Sequence, residues 1–166
     1  MKSNLVAISV ALSTLGSSAF AFDAKLADKS WNGIAVPAGQ QCQKFGGNNP
    51  STPRILVSGI PSGSNTIVLE YSDRDSAAMN HGGHGMMSFT LAPAVTEVEI
   101  PSVAGHTFEM PAGFKMINAH RGPNWDKAGA YMPPCSGGKG HAYYVTVKAL
   151  DVDKVTATAV LEMGKY

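Results

Sequence analysis

The amino-acid sequence predicts an all-β domain with sizeable loops, and three observations carry that prediction. Apolar residues recur mainly with a period of two, the spacing of half-buried strands. Gly and Pro are abundant, 18 and 10 of 166 residues, and cluster between the alternating runs, where they punctuate turns. No long stretch repeats at the helical spacing of i, i+3, i+4.

The first 21 residues read as a leader rather than as part of this domain. Lys2 supplies a positive start, Leu5 to Leu15 an apolar run, and Ala19-Phe20-Ala21 a small-x-small cleavage site, so Phe22 is the expected mature N-terminus. The run is too short for a transmembrane span, and no Cys follows the cleavage site to carry a lipid anchor. Export is expected, with the bacterial periplasm as destination. Residues 22–166 suffice for one domain with its own core. Without Lys2, 12 basic residues balance 12 acidic ones, and no Lys/Arg run occurs. Nucleic acid and anionic membrane surfaces are therefore poor partners. A small anionic ligand would have to be held by local groups.

Within the domain, residues 43–53 are loop by composition. A strand is expected at Arg54 to Ser58, a turn over Gly59 to Asn65, and a second strand from Thr66 to Ser72. Ile67, Leu69 and Tyr71 share one face of the second strand, and Asp73 and Asp75 continue that face. Carboxylates on a core face need a partner or a ligand; if the strand stops at Ser72, both are solvated turn residues, which is the favoured reading of SDRDS.

The stretch Ser76 to Phe89 combines His81 and His84 with Met79, Met86 and Met87. Imidazole and thioether together suit copper, while Met86 and Met87 equally suit the start of a core strand. Further strands are expected at Val95 to Ile100 and near Thr107 to Met110. Pro111 to Ala130 then reads as a long surface loop with Trp125 as an anchor and with His106 and His120 exposed.

The last part of the chain is the most informative. Pro133-Pro134 and the Gly-rich loop Ser136 to Gly140 precede a strand in which His141, Tyr143, Val145, Val147 and Ala149 share a face. An imidazole and a phenol thus sit at the mouth of an apolar face, as in many small-ligand pockets. Val155 to Met163 alternates as a final strand, with a short helix the competing reading. In an oxidising compartment Cys42 and Cys135 favour a disulfide. A Cys135–His141 nucleophile pair, a metal thiolate and two free thiols remain the alternatives.

Three stretches resemble the phosphatidylethanolamine-binding protein family (the Raf-kinase-inhibitor-like proteins), in its exported bacterial branch. SGIPSGSNTIVLEYSDRDS is similar to the family's strand and "DPDAP" turn, the His84 strand to its "HW" strand, and PPCSGGKGHAYYVTVKALD to its "HRY … ALD" ending. Cys42 before Gly46-Gly47-Asn48 also resembles that branch. The resemblance implies a sandwich of two antiparallel sheets with Greek-key connections and a small pocket for phosphate or a phospho-headgroup. By position it assigns Asp73, Asp75, His84, Pro133, Pro134, His141 and Tyr143 to that pocket. It also departs from the family: both prolines of DPDAP are lost, Gly85 stands where the Trp would be, and Ala142 replaces the Arg of HRY.

The expected function is that of an exported binding protein for a small anion, with no cofactor. Regulation or inhibition of a protease or kinase comes with the resemblance alone, and no residue here argues for such a partner. The alternative is a copper-binding protein using His81, His84 and Met86. Enzymatic activity is not expected: no G-x-S-x-G occurs, and an Asp–His pair alone is insufficient for nucleophilic catalysis.

Overall fold

Alternation decides which side of each strand is buried. In the computed structural model, which describes residues 21–166, strand β3 (Thr66–Asp73) buries Ile67, Leu69, Tyr71 and Asp73 on one side. The expected leader, save Ala21, lies outside the described residues. Strand β3 pairs antiparallel with β4 (Gly85–Thr90) and with β7 (Ala142–Asp151), whose Tyr143, Val145, Val147 and Ala149 face the same core. The hairpin partner of β7 is β8 (Lys154–Lys165), and β6 (Phe114–Asn118) borders β4. The resulting sheet has the order β6-β4-β3-β7-β8. Taken in chain order, β3, β4 and β6 lie side by side and β7 returns to the free side of β3, which is a Greek-key arrangement.

A second, three-stranded antiparallel sheet contains β1 (Asp23–Leu26), β2 (Ile55–Ser58) and β5 (Glu97–Ile100), with β2 central. Ile55, Val57 and Ile100 of this sheet share one contiguous core with the β3 and β7 residues. Among the described residues, helix is limited to a single 3-10 turn at Gln43–Phe45, and no helix is long and apolar enough to cross a membrane. The expected mainly-β, two-sheet antiparallel architecture is the observed one.

Several expectations for individual elements need correction. Thr107 to Met110 is irregular; the Thr107 hydroxyl accepts the Glu109 N–H and Phe108 is exposed. The long-loop reading of residues 111–130 overlooked β6, an edge strand in which only Phe114 is buried. His106 and His120 are both buried, not exposed. The imidazole of His106 pairs with the Asp126 carboxylate, and that of His120 reaches the Lys127 carbonyl at 3.2 Å and the Gly122 N–H at 3.2 Å. His120 is thereby bonded at both ring nitrogens, whereas His106 is bonded through Nε2 and its buried Nδ1 has no partner among the described residues. Val155 to Met163 is strand, as alternation predicts, not helix.

A smaller apolar cluster lies apart from the main core and holds the pocket described below. Cys42 and Cys135 form a disulfide at its centre, packed with Met132, Phe45 and Met79. The backbone reinforces the bridge, because the Cys42 N–H donates to the Pro134 carbonyl at 2.9 Å. With both sulfurs bonded to each other, Cys135 is neither a nucleophile nor a metal thiolate.

Candidate ligand-binding site

The site begins where β3 runs out of sheet partners. Asp73, paired opposite Tyr143 in the β3–β7 ladder, is the last strand residue and its carboxylate is buried. A buried carboxylate requires donors, and two are present. Oδ1 accepts the Asp75 N–H at 2.8 Å, an Asx-type turn that ends the strand, and Oδ2 accepts from His141 Nδ1 at 2.7 Å. Asp73 therefore continues the core face, whereas Asp75 leaves it. The Asp75 side chain is exposed and accepts the Ala142 N–H at 2.7 Å, which fastens the turn to the start of β7.

His141 is anchored through Nδ1 and its side chain keeps 25% exposure, so Nε2 is the nitrogen it presents outward. Next to it, the Tyr143 hydroxyl accepts the Cys135 N–H at 3.1 Å, and burial raises its pKa to about 12. The phenol stays protonated, with its O–H available as a donor.

His84 adjoins Tyr143, with its ring edge-on to the phenol at a centroid distance of 5.2 Å. Its Nδ1 is 2.7 Å from the Met132 carbonyl, while the Met132 N–H donates to the His84 carbonyl at 2.9 Å. This double tie needs residues 130–132 to run tight against the start of β4. Gly85 permits it: its φ is +122°, and a Cβ there would lie 2.1 Å from the Ala130 carbonyl oxygen. Burial lowers the pKa of His84 to about 4, against smaller opposing contributions from the Met132 carbonyl and Asp73. At neutral pH the ring is uncharged.

These side chains converge on a cavity of about 350 Å³. Asp73, His84, His141 and Tyr143 line it together, with Lys139 of the Gly-rich loop as its cationic residue. Trp125, Met79 and Met132 supply an apolar side. Asp75, Pro133 and Pro134 are not in the wall. The prolines are buried behind it, Pro133 against Gly105 and Pro134 as the backbone acceptor for Cys42. Arg74 points away and pairs with Glu162 across the face of Tyr144.

The structure does not gather the residues of the copper alternative around this cavity. His84 lines it, but His81 is exposed, in a loop whose carbonyls at Ala78, Asn80 and His81 are held by the Arg121 guanidinium. Met86 lies on the face of β4 opposite the buried Met87, and its sulfur accepts from Asn118 Nδ2 at 3.4 Å.

Trp125 and Lys139 were not singled out for the site from sequence. Trp125 arrives from the 111–130 loop, where its indole N–H donates to the Cys135 carbonyl at 3.2 Å and Lys44 sits 3.5 Å from its ring centroid. It provides an aromatic wall in a chain that has Gly85 beside the site His. The signal available for Lys139 was its place within SGGKG, as the one charged residue of the loop before His141.

A two-sheet sandwich with polar side chains converging on one small cavity defines a ligand-binding β domain. The profile of the phosphatidylethanolamine-binding protein family matches residues 19–165, and the chain belongs to that family. Among solved structures it is similar to YbcL from E. coli, described as a new member of the mammalian family, at 20% identity and a TM-score of 0.56, covering 87% of this chain and 97% of that one. It is also similar to CT736 from Chlamydia trachomatis, described as a putative homologue of the family, at 24% identity and a TM-score of 0.52, covering 88% and 97%. At such identities the likeness concerns the fold. No match was found among curated proteins.

Proposed function

We propose that this chain is an exported binding protein whose pocket holds a small phosphate-type or phospho-headgroup anion. One observation carries the reading: the buried Asp73 carboxylate fixes His141 through Nδ1, so that Nε2 is presented beside the Tyr143 hydroxyl and Lys139. A cavity of about 350 Å³ matches a headgroup-sized ligand and falls at the small end of ligand pockets. Trp125 and the methionines would receive its apolar part. The Cys42–Cys135 bridge agrees with an oxidising, exported compartment.

The test is calorimetric titration of the mature chain with inorganic phosphate and with phosphoethanolamine. His141→Ala is expected to abolish binding while the thermal unfolding transition stays cooperative. Unchanged affinity in that variant would remove the reading.

A further inference from the structure

Both histidines of the pocket are held through Nδ1 by an oxygen, His141 by the Asp73 carboxylate and His84 by the Met132 carbonyl. The Met132 carbonyl can only accept, so His84 Nδ1, 2.7 Å away, carries the proton. The residue is 2% exposed, and residue 132 holds its backbone carbonyl as well as its ring, which fixes the ring's place in the wall. In an uncharged imidazole with Nδ1 protonated, Nε2 is a lone pair. His84 lines the cavity, and Nε2 is the nitrogen not used by Met132. The lining therefore offers an acceptor at His84 alongside the donors Lys139 and Tyr143.

Resting on the anion reading above, we infer that His84 is a specificity-determining residue, and that the pocket selects oxyanions bringing their own hydrogen-bond donor. That class contains hydrogenphosphate and the monoanions of phosphomonoesters, whose P–O–H can donate to His84 Nε2; above about pH 6 a monoester loses that hydrogen. It excludes sulfate and phosphodiesters, whose oxygens only accept. An acceptor-only oxygen at that position meets the Nε2 lone pair and leaves both desolvated groups unpaired. Sites built to hydrogen-bond one polar hydrogen reject the analogue lacking it far more strongly than apolar pockets reject a missing methylene.

The experiment is a titration of the intact mature protein with charge-matched pairs. At pH 7.5 inorganic phosphate is compared with sulfate, and at pH 5.5 dihydrogen phosphate with dimethyl phosphate. The expected result is at least tenfold tighter binding of the protonated anion in each pair. A free phosphate or monoester as the natural ligand predicts that phosphoethanolamine follows phosphate at pH 5.5, where it keeps a P–O–H; a diester headgroup predicts that dimethyl phosphate binds as well, which overturns the inference. Equal affinity for phosphate and sulfate also overturns it while leaving the anion site intact. Failure of all four anions to bind removes the anion reading itself.

His84→Asn retains a side-chain N–H near Nδ1 for Met132 and deletes Nε2, and is expected to bring the phosphate-to-sulfate ratio close to one. Nitrogen-15 chemical shifts of the wild-type imidazole are expected to show the Nδ1–H tautomer of His84 at pH 7. An Nε2–H tautomer or an imidazolium overturns the inference without recourse to any variant.

Discussion

Replacing Asp73 by Asn removes one charge, changes almost no volume, and tests whether Asp73 and His141 act as a unit. The carboxylate serves two donors, Asp75 N–H through Oδ1 and His141 Nδ1 through Oδ2. An Asn side chain has one acceptor. If that oxygen stays on Asp75, its NH2 faces Nδ1, and the imidazole must move its proton to Nε2 to accept. A hydrogen bond to a charged acceptor, about 1.5–3 kcal/mol, is then exchanged for a neutral one of about 1 kcal/mol. Stability should fall by roughly 1–2 kcal/mol in Asp73→Asn. His141→Gln should produce a similar loss, and the double variant little more than either, which is a coupling energy of about 1–2 kcal/mol. Urea denaturation followed by fluorescence is the assay, with the buried Trp31 as a core reporter. Phosphate affinity should weaken together with stability. Additivity to within about 0.3–0.5 kcal/mol would refute the pairing as an energetic unit.

Three other outcomes are expected. Gly85→Ala should lower stability by about 3 kcal/mol or more, because its Cβ would meet the Ala130 carbonyl at 2.1 Å at a φ of +122°; a urea midpoint unchanged from wild type would contradict the close approach. Replacing Cys42 and Cys135 together by Ser should cost about 4–5 kcal/mol, since the bridge closes a sequence separation of 93, and the loss should appear in denaturant midpoints under non-reducing conditions. For His84, the folded pKa of about 4 lies below the ordinary 6.5, so the unfolded chain binds the proton first on acidification. Its contribution is complete above about pH 6.5 and is lost as pH falls towards 4, by about 3 kcal/mol in all. Burial lowers His120 as well, so it acts in the same direction. Denaturation at pH 7 and pH 4.5 measures the slope, which should be shallower in His84→Asn.

What could be read from sequence was whatever a strand imprints by having one wet face and one dry one. Strands β3 and β7 show this because a buried apolar residue occupies every second position from Ile67 to Tyr71 and from Tyr143 to Ala149. Strand β6 escaped because it is an edge: after Phe114 its residues are exposed on both sides, so Met116 and Ile117 carry no alternation. His106 and His120 escaped for another reason. Their burial depends on Asp126 and the Lys127 carbonyl, partners that no short motif announces. Asp73 and Asp75 share a sequence face, yet only Asp73 turns inward, because its own side chain captures the Asp75 N–H and ends the strand.

The pocket combines two kinds of support, and they bear differently on what it can hold. Asp73 and His141 stand at or beside strand ends, Tyr143 stands within β7, and His84 adjoins β4; all four are therefore placed by the sheet. Trp125, Lys139 and Met79 stand on loops drawn together around the Cys42–Cys135 bridge. Backbone order around the polar wall is set by ladder hydrogen bonds and by the Gly85 approach, so the hydrogen-bonding pattern offered to a ligand is rigid. The loop side is tied by one disulfide, an indole hydrogen bond to Cys135 and the Lys44 contact with Trp125. On the proposed anion reading, substitutions there should change which apolar group fits beside the ligand and how fast it leaves, whereas substitutions at Asp73, His84 or His141 should change which anion is held at all.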